Sequence, residues 1–372
     1  MPNDRRSHVP AGDSELAAAL EAWFASSARD LPWREAEGGE HRRDPYRVLV
    51  SELMLQQTQV SRVVPRYRAF IERFPTVAHL ARADVDEVLA LWSGLGYYRR
   101  ARNLHAAARA VVAEHAGELP TEIRELKGLP GIGRYTAGAI ASIAMGKREP
   151  LVDGNVVRVL LRLEGRELAS ADKAAASLAW QRAESLVGEA DDPGSFNEAM
   201  MELGALVCTP RNPSCGSCPW QRSCRAHAEG LQNQIPRASK AAARRMLYCD
   251  SLLVRDAAGR VLLEQRPAVG LWAGLWQAPT LESDDRHAEA GELGKSLGAV
   301  EPTPIGEFVH QTTHREVRFR VWAADSVSVS ATARATASAN ARVWTSAAEL
   351  DGLGISSAQR RIITGRIEPA LF

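Results

Sequence analysis

The stretch Leu126–Asn155, LKGLPGIGRYTAGAIASIAMGKREPLVDGN, carries the two features on which the reading of this chain turns. Upstream, Thr121 is placed to cap a short helix through Lys127; the turn GLPGIG breaks it, and Arg134–Met145 resumes as a helix rich in Ala and Ile. Gly131 and Gly133 flank an apolar Ile132, so the backbone can approach a neighbour closely and leave the N–H groups of the next helix's first turn free for a phosphate. On the glycines alone, an ordinary helix–helix turn fits as well. The second feature is Asp153-Gly154-Asn155, followed by the amphipathic run VVRVLLRL. Asp153 or Asn155 falls where an N-cap belongs, and a carboxylate there is kept ionised by the positive end of a helix. A lone Asp at such a place also serves simply as a cap.

Bulk properties set the frame. A chain of 372 residues can build two cores, one of about 230 residues and one of about 120. No apolar run is long enough to span a bilayer, and MPNDRRSHVPAGDS lacks the apolar centre of a signal peptide, so a cytoplasmic protein with disordered first residues is expected. The net charge of +1 excludes a generally basic nucleic-acid coat but not a basic face. Arginines cluster at 62, 66 and 68, at 99, 100 and 102, and at 211, 222 and 225; each group alone reads more readily as a solvated face, and only its association with the hairpin suggests a DNA footprint.

Towards the N-terminus, Ser14–Ala28 reads as an amphipathic helix, and LPWR stops it at Pro32. After the polar loop REAEGGEHRR, Asp44-Pro45 opens a helix continuing through PYRVLVSELMLQQTQVSRVV. Glu52 lies there among Leu49, Val50, Leu53 and Met54; desolvation raises the pKa of a carboxyl so placed toward the range of a general acid, although a surface position on the same helix fits the pattern too. Pro65 and Pro75 punctuate the next segment, and Asp84 with Glu87 begins another helix in a capping-box pattern. GLG then precedes YYRRARNLHAAARAVVAEH, whose Tyr97 is either a core residue or an exposed wedge.

Beyond Asp153, helices are expected in ADKAAASLAWQRAESLVG and SFNEAMMELGALV. Next comes CTPRNPSCGSCPWQRSC, with Cys208, Cys215, Cys218 and Cys224 spaced C-x6-C-x2-C-x5-C. Grouped thiols in a reducing compartment argue for metal, and spacing alone leaves zinc and an iron–sulfur cluster open. Cys249 stands apart as a core thiol. From Gln232 to Arg245 the composition turns polar and basic, and strand patterns follow. MLYCDSLLV and RVLLEQR flank DAAG as a hairpin; IGEFVH and REVRFRVWAA form a second pair; Ser356 with Gln359 caps a final helix.

These segments resemble a known family. LPGIGRYTAGA followed by LVDGN is similar to the helix–hairpin–helix and catalytic-aspartate segment of the endonuclease III superfamily, and SELMLQQTQV to the glutamate motif of its A/G-specific adenine glycosylases, the MutY family. Bifunctional members carry a lysine just after the hairpin, whereas this chain has Tyr135; without that amine no Schiff base forms there, which points to the monofunctional branch. The resemblance implies a multidomain fold: an all-α helix–hairpin–helix glycosylase domain over 14–230 in two lobes, a linker over 231–245, and a C-terminal α+β Nudix-like domain over 246–366. It makes Glu52 the acid, Asp153 the stabiliser of the sugar cation across an interlobe cleft, and Tyr135 and Asn155 their hydrogen-bonding supports. It assigns the four cysteines to one 4Fe–4S cluster with a structural role. It makes Gln57, Tyr97, Gly131 and Gly133 DNA-binding residues, with double-stranded DNA holding adenine opposite 8-oxoguanine or guanine as the partner and a monomer as the expected form. LLEQRPAVGLWAGLWQAP resembles the domain that reads the opposite base; no glutamate-rich magnesium box follows between Ala278 and Val300, so pyrophosphatase activity is not expected. The family's Phe-Ser-His loop corresponds here to Thr312-Thr313-His314, which keeps a hydroxyl and an imidazole but lacks the aromatic ring.

Overall fold

A computed structural model describes residues 8–35, 42–238, 243–289, 292–293, 302–324 and 341–367. Most of the loop expected at 34–43, part of the linker and the end of the 278–300 stretch lie outside them. The helices run α1 (Asp13–Ser27), α2 (Pro45–Leu55), α3 (Val60–Arg73), α4 (Val77–Arg82), α5 (Val85–Leu91), α6 (Arg99–Glu114), α7 (Ile123–Leu126), α8 (Arg134–Ala139), α9 (Gly154–Leu163), α10 (Lys173–Gly188), α11 (Pro193–Leu206), α12 (Arg225–Ala228) and α13 (Ser357–Ile363). Between α12 and α13 come β1 (Arg245–Val254), β2 (Val261–Gln265), β3 (Trp276–Gln277), β4 (Thr280–Ser283), β5 (Thr303–Gln311), β6 (Arg315–Ala324) and β7 (Arg342–Thr345). Among the described residues, no helix is long and apolar enough to cross a membrane.

By its contacts the chain forms two compact units, one of residues 1–81 and 106–240, the other of 82–105 and 241–372. In the first, α1 packs on α10 and α11, and α9 packs on α10, α11 and α12. Caps define the ends that matter. Asp44 accepts from the Tyr46 N–H at 2.8 Å ahead of Pro45, and Asp192 accepts from Gly194 and Ser195 ahead of Pro193.

Several expectations need correction. The helix opened by Pro45 ends at Leu55, because Gln57 adopts a left-handed φ of 53° that no helix can continue through. Pro65 lies inside α3 rather than ending an element. Thr121 does not cap α7; Glu122 holds that place without a side-chain bond, and the Thr121 carbonyl accepts from Lys147 Nζ at 2.7 Å. The helix after the hairpin changes at Ile140–Ala144 to a π-helical turn. Of the first residues expected to be disordered, 1–7 lie outside the described ones, while His8 and Val9 are engaged: the Val9 N–H donates to the Arg222 carbonyl at 3.0 Å, and His8 bonds to the Ser223 carbonyl.

The second unit contains two sheets, ordered β4-β1-β6-β5 and β3-β2-β7. The hairpin expected of β1 and β2 goes no further than one antiparallel bridge, Arg255 with Val261. Asp256–Gly259 does make the turn, but β1 pairs parallel to β6 and antiparallel to β4, while β2 pairs antiparallel to β3 and β7. The partner sheets win because β1 buries both faces: Leu247 and Cys249 meet Val317, Phe319 and Ile362 on one side, and Leu252 and Val254 meet Leu262 and Leu293 on the other. β5 and β6 pair antiparallel as expected, with Gln311 opposite Glu316 at the hairpin end. Ser356 caps α13 through the Gln359 N–H at 3.2 Å.

Residues 82–105 belong to this unit for identifiable reasons. Trp276 Nε1 donates to Asp86 at 3.2 Å, and the Tyr98 hydroxyl donates to the Ile355 carbonyl at 3.1 Å. Gly354 approaches α5 so closely that a Cβ there would lie 2.6 Å from the Leu89 Cβ.

Candidate active site

Glu52 is 4% exposed on a turn of α2 whose neighbours Leu49, Val50, Leu53 and Met54 are at most 1% exposed. Burial raises its carboxyl from the ordinary 4.5 to about 7; the Tyr135 hydroxyl and Arg43 work against that rise, and the charges of Glu198 and Asp153 add to it. The carboxyl therefore holds a proton for a large part of the time at neutral pH.

Tyr135 reaches Glu52 from the first turn of α8, which begins directly after the hairpin. Its hydroxyl donates to Glu52 Oε2 at 2.7 Å and also lies 3.0 Å from Met201 Sδ. Burial, and then the charges of Glu52 and Asp153, push the phenol well above its usual range, so it stays a donor. Asp153 is the N-cap of α9: Oδ1 accepts from the Val156 N–H at 2.7 Å, and Oδ2 from Asn155 Nδ2 at 3.0 Å. Asn155 Oδ1 in turn accepts from Arg158 at 2.9 Å, and Arg158 donates onward to the carbonyls of Gly204 and Cys208. Gly204 makes that packing possible, since a Cβ there would lie 2.8 Å from the Cβ of Asn155.

Glu52, Gln57, Tyr135, Asp153 and Asn155 all line one cavity of about 540 Å³ within the first unit. Its wall also holds a group of charges not singled out from the sequence. Glu198 is bound by Arg34 at 2.9 Å and Arg43 at 2.5 Å; Glu202 is bound by Arg29 at 2.7 Å and Arg34 at 3.2 Å. Burial pushes the Glu202 carboxyl up, but its guanidinium partners outweigh that and hold it below the ordinary range. The available signal was a pair of acids four residues apart, the only two charged residues of α11.

Of the other predicted site residues, Gly131 needs its glycine, with φ at 76°, whereas Gly133 takes φ −91° and a Cβ added there would meet nothing within 4 Å. In the second unit, Tyr97 has a φ of 48° and is 40% exposed; its hydroxyl is hydrogen-bonded to Thr313 Oγ1. Thr313 and His314 are exposed at the tip between β5 and β6, where Thr312 closes the turn onto Arg315.

The four cysteines lie on the loop after α11, crossed by short 3-10 turns at Cys215–Ser217 and Gln221–Ser223. Arg162, 2% exposed, ties the loop down: it donates to Cys208 Sγ at 3.3 Å, to the Thr209 and Pro210 carbonyls, and to Ile235. Burial, with charges on the other cysteines adding to it, pushes Cys218 up to about 12 and Cys224 up to about 11. Such thiols become thiolates only with a strong positive group among them, which is the donor chemistry an iron–sulfur cluster needs. Among the described residues no three His, Cys, Asp or Glu side chains form a group suited to a single metal ion.

Sequence comparison agrees with this geometry. Residues 50–184 match the model of the HhH-GPD superfamily base excision DNA repair proteins, residues 208–224 the iron–sulfur binding domain of endonuclease III, and residues 251–365 a NUDIX domain. A solved thermostable thymine-DNA glycosylase superposes with a TM-score of 0.51 at 29% identity, covering 58% of this chain and 97% of that one. The fold is that of a base-excision DNA glycosylase, a hydrolase with a 4Fe–4S cluster as its cofactor and a Nudix-like C-terminal domain. Adenine DNA glycosylase of Rattus norvegicus is 35% identical over 396 residues, covering 92% of this chain and 76% of its own, and that of Schizosaccharomyces pombe is 33% identical over 75% and 72%. The chain belongs to the adenine DNA glycosylases, the MutY family.

Proposed function

We propose that this enzyme binds double-stranded DNA and hydrolyses the N-glycosidic bond of adenine paired with 8-oxoguanine or guanine, without a lyase step. The observation that carries the reading is the single cavity in which a half-protonated Glu52, supported by Tyr135, faces the same space as Asp153 at its helix terminus.

The chemistry follows from the leaving group. Adenine departs slowly as an anion; a proton placed on its N7 lets it leave neutral, and the sugar becomes an oxocarbenium-like cation. Glu52 gives that proton, and Asp153 stabilises the cation, so the two carboxyls divide the work as in glycoside hydrolysis. Tyr135 holds the acid in place, Asn155 orients Asp153, and no amine stands at position 135 to attack the sugar.

The adenine must first leave the base stack, at a cost of a few kcal/mol that a mispair reduces. Gly131 and Gly133 expose hairpin N–H groups to the phosphates, and Gln57, Tyr97, Thr313 and His314 act on the opened pair and the base opposite. The cluster, when bound, cross-links the cysteine loop, and the protein acts as a monomer. The deciding experiment is single-turnover release of adenine from duplexes holding an 8-oxoguanine:adenine, guanine:adenine or thymine:adenine pair, with the visible iron–sulfur absorbance read on the same sample. Release from the first two alone supports the reading, and equal release from all three refutes it.

A further inference from the structure

Met201 occupies a position that the mechanism above does not use. It sits on α11, half-buried, on the wall of the catalytic cavity, with its sulfur 3.0 Å from the Tyr135 hydroxyl. That hydroxyl has one proton and two acceptors, Met201 Sδ at 3.0 Å and Glu52 Oε2 at 2.7 Å. A thioether is the weaker acceptor, so Glu52 holds the proton's direction.

The neighbouring methionines are placed differently. Met54 and Met200 are sealed in the core at 0% and 1% exposure, while Met145 and Met246 are half-buried away from this cavity. Among the described methionines, Met201 is the one that lines this cavity and whose sulfur touches the acid's supporting group.

We propose that Met201 is a reversible oxidation site through which hydrogen peroxide switches off the catalytic cavity; the inference rests on the roles given above to Glu52 and Tyr135. The sulfur lone pair attacks one peroxide oxygen, the O–O bond breaks, and an S–O bond forms; the thioether is oxidised by two electrons to the sulfoxide and the peroxide is reduced to water. The 3.0 Å contact with the hydroxyl occupies one sulfur lone pair, so the oxygen adds at the other and makes a bulkier, polar group beside the hydroxyl. A sulfoxide oxygen is also a far stronger acceptor than a thioether and competes with Glu52 for the only proton Tyr135 can donate. Where the sulfoxide oxygen takes that proton, Glu52 loses the partner that positions it. A methionine sulfoxide reductase with a dithiol reverses the change: the dithiol becomes a disulfide and the oxygen leaves as water.

The test treats the full-length holoenzyme with graded hydrogen peroxide, maps sulfoxide by peptide mass, and measures single-turnover adenine release and cluster absorbance on each sample. The wild-type rate is expected to fall in step with Met201 sulfoxide by about tenfold or more, the scale of one lost charge-assisted hydrogen bond, while cluster absorbance holds. Reductases A and B with dithiothreitol restore it. Met201→Leu keeps its own untreated rate within about twofold at the same dose. An unchanged wild-type rate at full Met201 conversion, an equal loss in Met201→Leu, or oxidation of Met145 and Met246 with Met201 spared overturns the proposal. The reductase arm needs no variant. Untreated wild type and Glu52→Gln report separately on the catalytic reading, since failure there shows before any peroxide is added.

Discussion

The Tyr135 hydroxyl donates to Glu52 Oε2 at 2.7 Å, joining the first turn after the hairpin to an acid on a helix 83 residues earlier. That bond works against a pKa that burial alone would carry higher, and leaves Glu52 titrating at about 7. A general acid serves best when its pKa lies near the working pH, so the contact tunes the acid as well as holding it.

The same shift has a thermodynamic consequence. Because the folded protein raises the Glu52 pKa from 4.5 to about 7, the folded state binds the proton more tightly than the unfolded chain does. The stability this contributes is complete below pH 4.5 and is lost as pH rises through about 7. Glu52→Gln, which keeps an acceptor for Tyr135, is expected to be more stable than wild type by up to ~3 kcal/mol at about pH 8, with the advantage gone in mild acid. Thermal melts of both proteins across pH check this, and a pH-independent difference would argue against it.

Tyr135 also predicts a negative chemical result. Sodium borohydride added during turnover on an adenine mispair should trap no covalent protein–DNA adduct, because there is no amine at that position to form an imine. A trapped adduct would identify a lyase.

The cysteine loop predicts a coupled loss. Replacing Cys218 by Ser removes one cluster ligand and is expected to abolish the visible absorbance and lower the melting temperature by roughly 5 °C or more. Retention of both signals would mean that Cys218 is not a cluster ligand, and loss of the absorbance at an unchanged melting temperature would mean that the loop folds without its cluster.

In the second unit, the Tyr97–Thr313 hydrogen bond links the two residues assigned to the mispair and the opposite base. Thr313→Ala and Tyr97→Phe should each reduce the preference for 8-oxoguanine over guanine opposite adenine by about fivefold, and the double variant by little more than either alone. Additive losses would separate the two roles.

Much of the cavity was legible from local pattern. Asp153 reads as a cap because Gly154 and a helical apolar run follow it, whereas the aliphatic neighbours of Glu52 on α2 fit a surface position as well, and the resemblance of SELMLQQTQV decided for a buried acid. The Arg29, Arg34, Arg43, Glu198 and Glu202 network was not, since its members meet only after α1 and the segment before α2 pack on α11. The break at Gln57 was hidden because a left-handed glutamine leaves no compositional trace. The sheets of the second unit were misread for a related reason: DAAG marks a turn but cannot say that β1 prefers β4 and β6 to β2, a choice made by burial on both its faces. Nor could sequence order reveal that residues 82–105 pack with the C-terminal half, because Asp86, Leu89 and Tyr98 find their partners only in the folded unit.

The most direct test is the pH profile of single-turnover adenine release from an 8-oxoguanine:adenine duplex, measured for wild type and for Glu52→Gln. Wild type should release adenine at a rate that falls as pH rises through about 7, where Glu52 gives up its proton. Glu52→Gln should bind the duplex and release adenine about a thousandfold more slowly at every pH. A variant that keeps the wild-type rate, or a wild-type profile flat across neutral pH, would contradict the assignment of Glu52 as the acid.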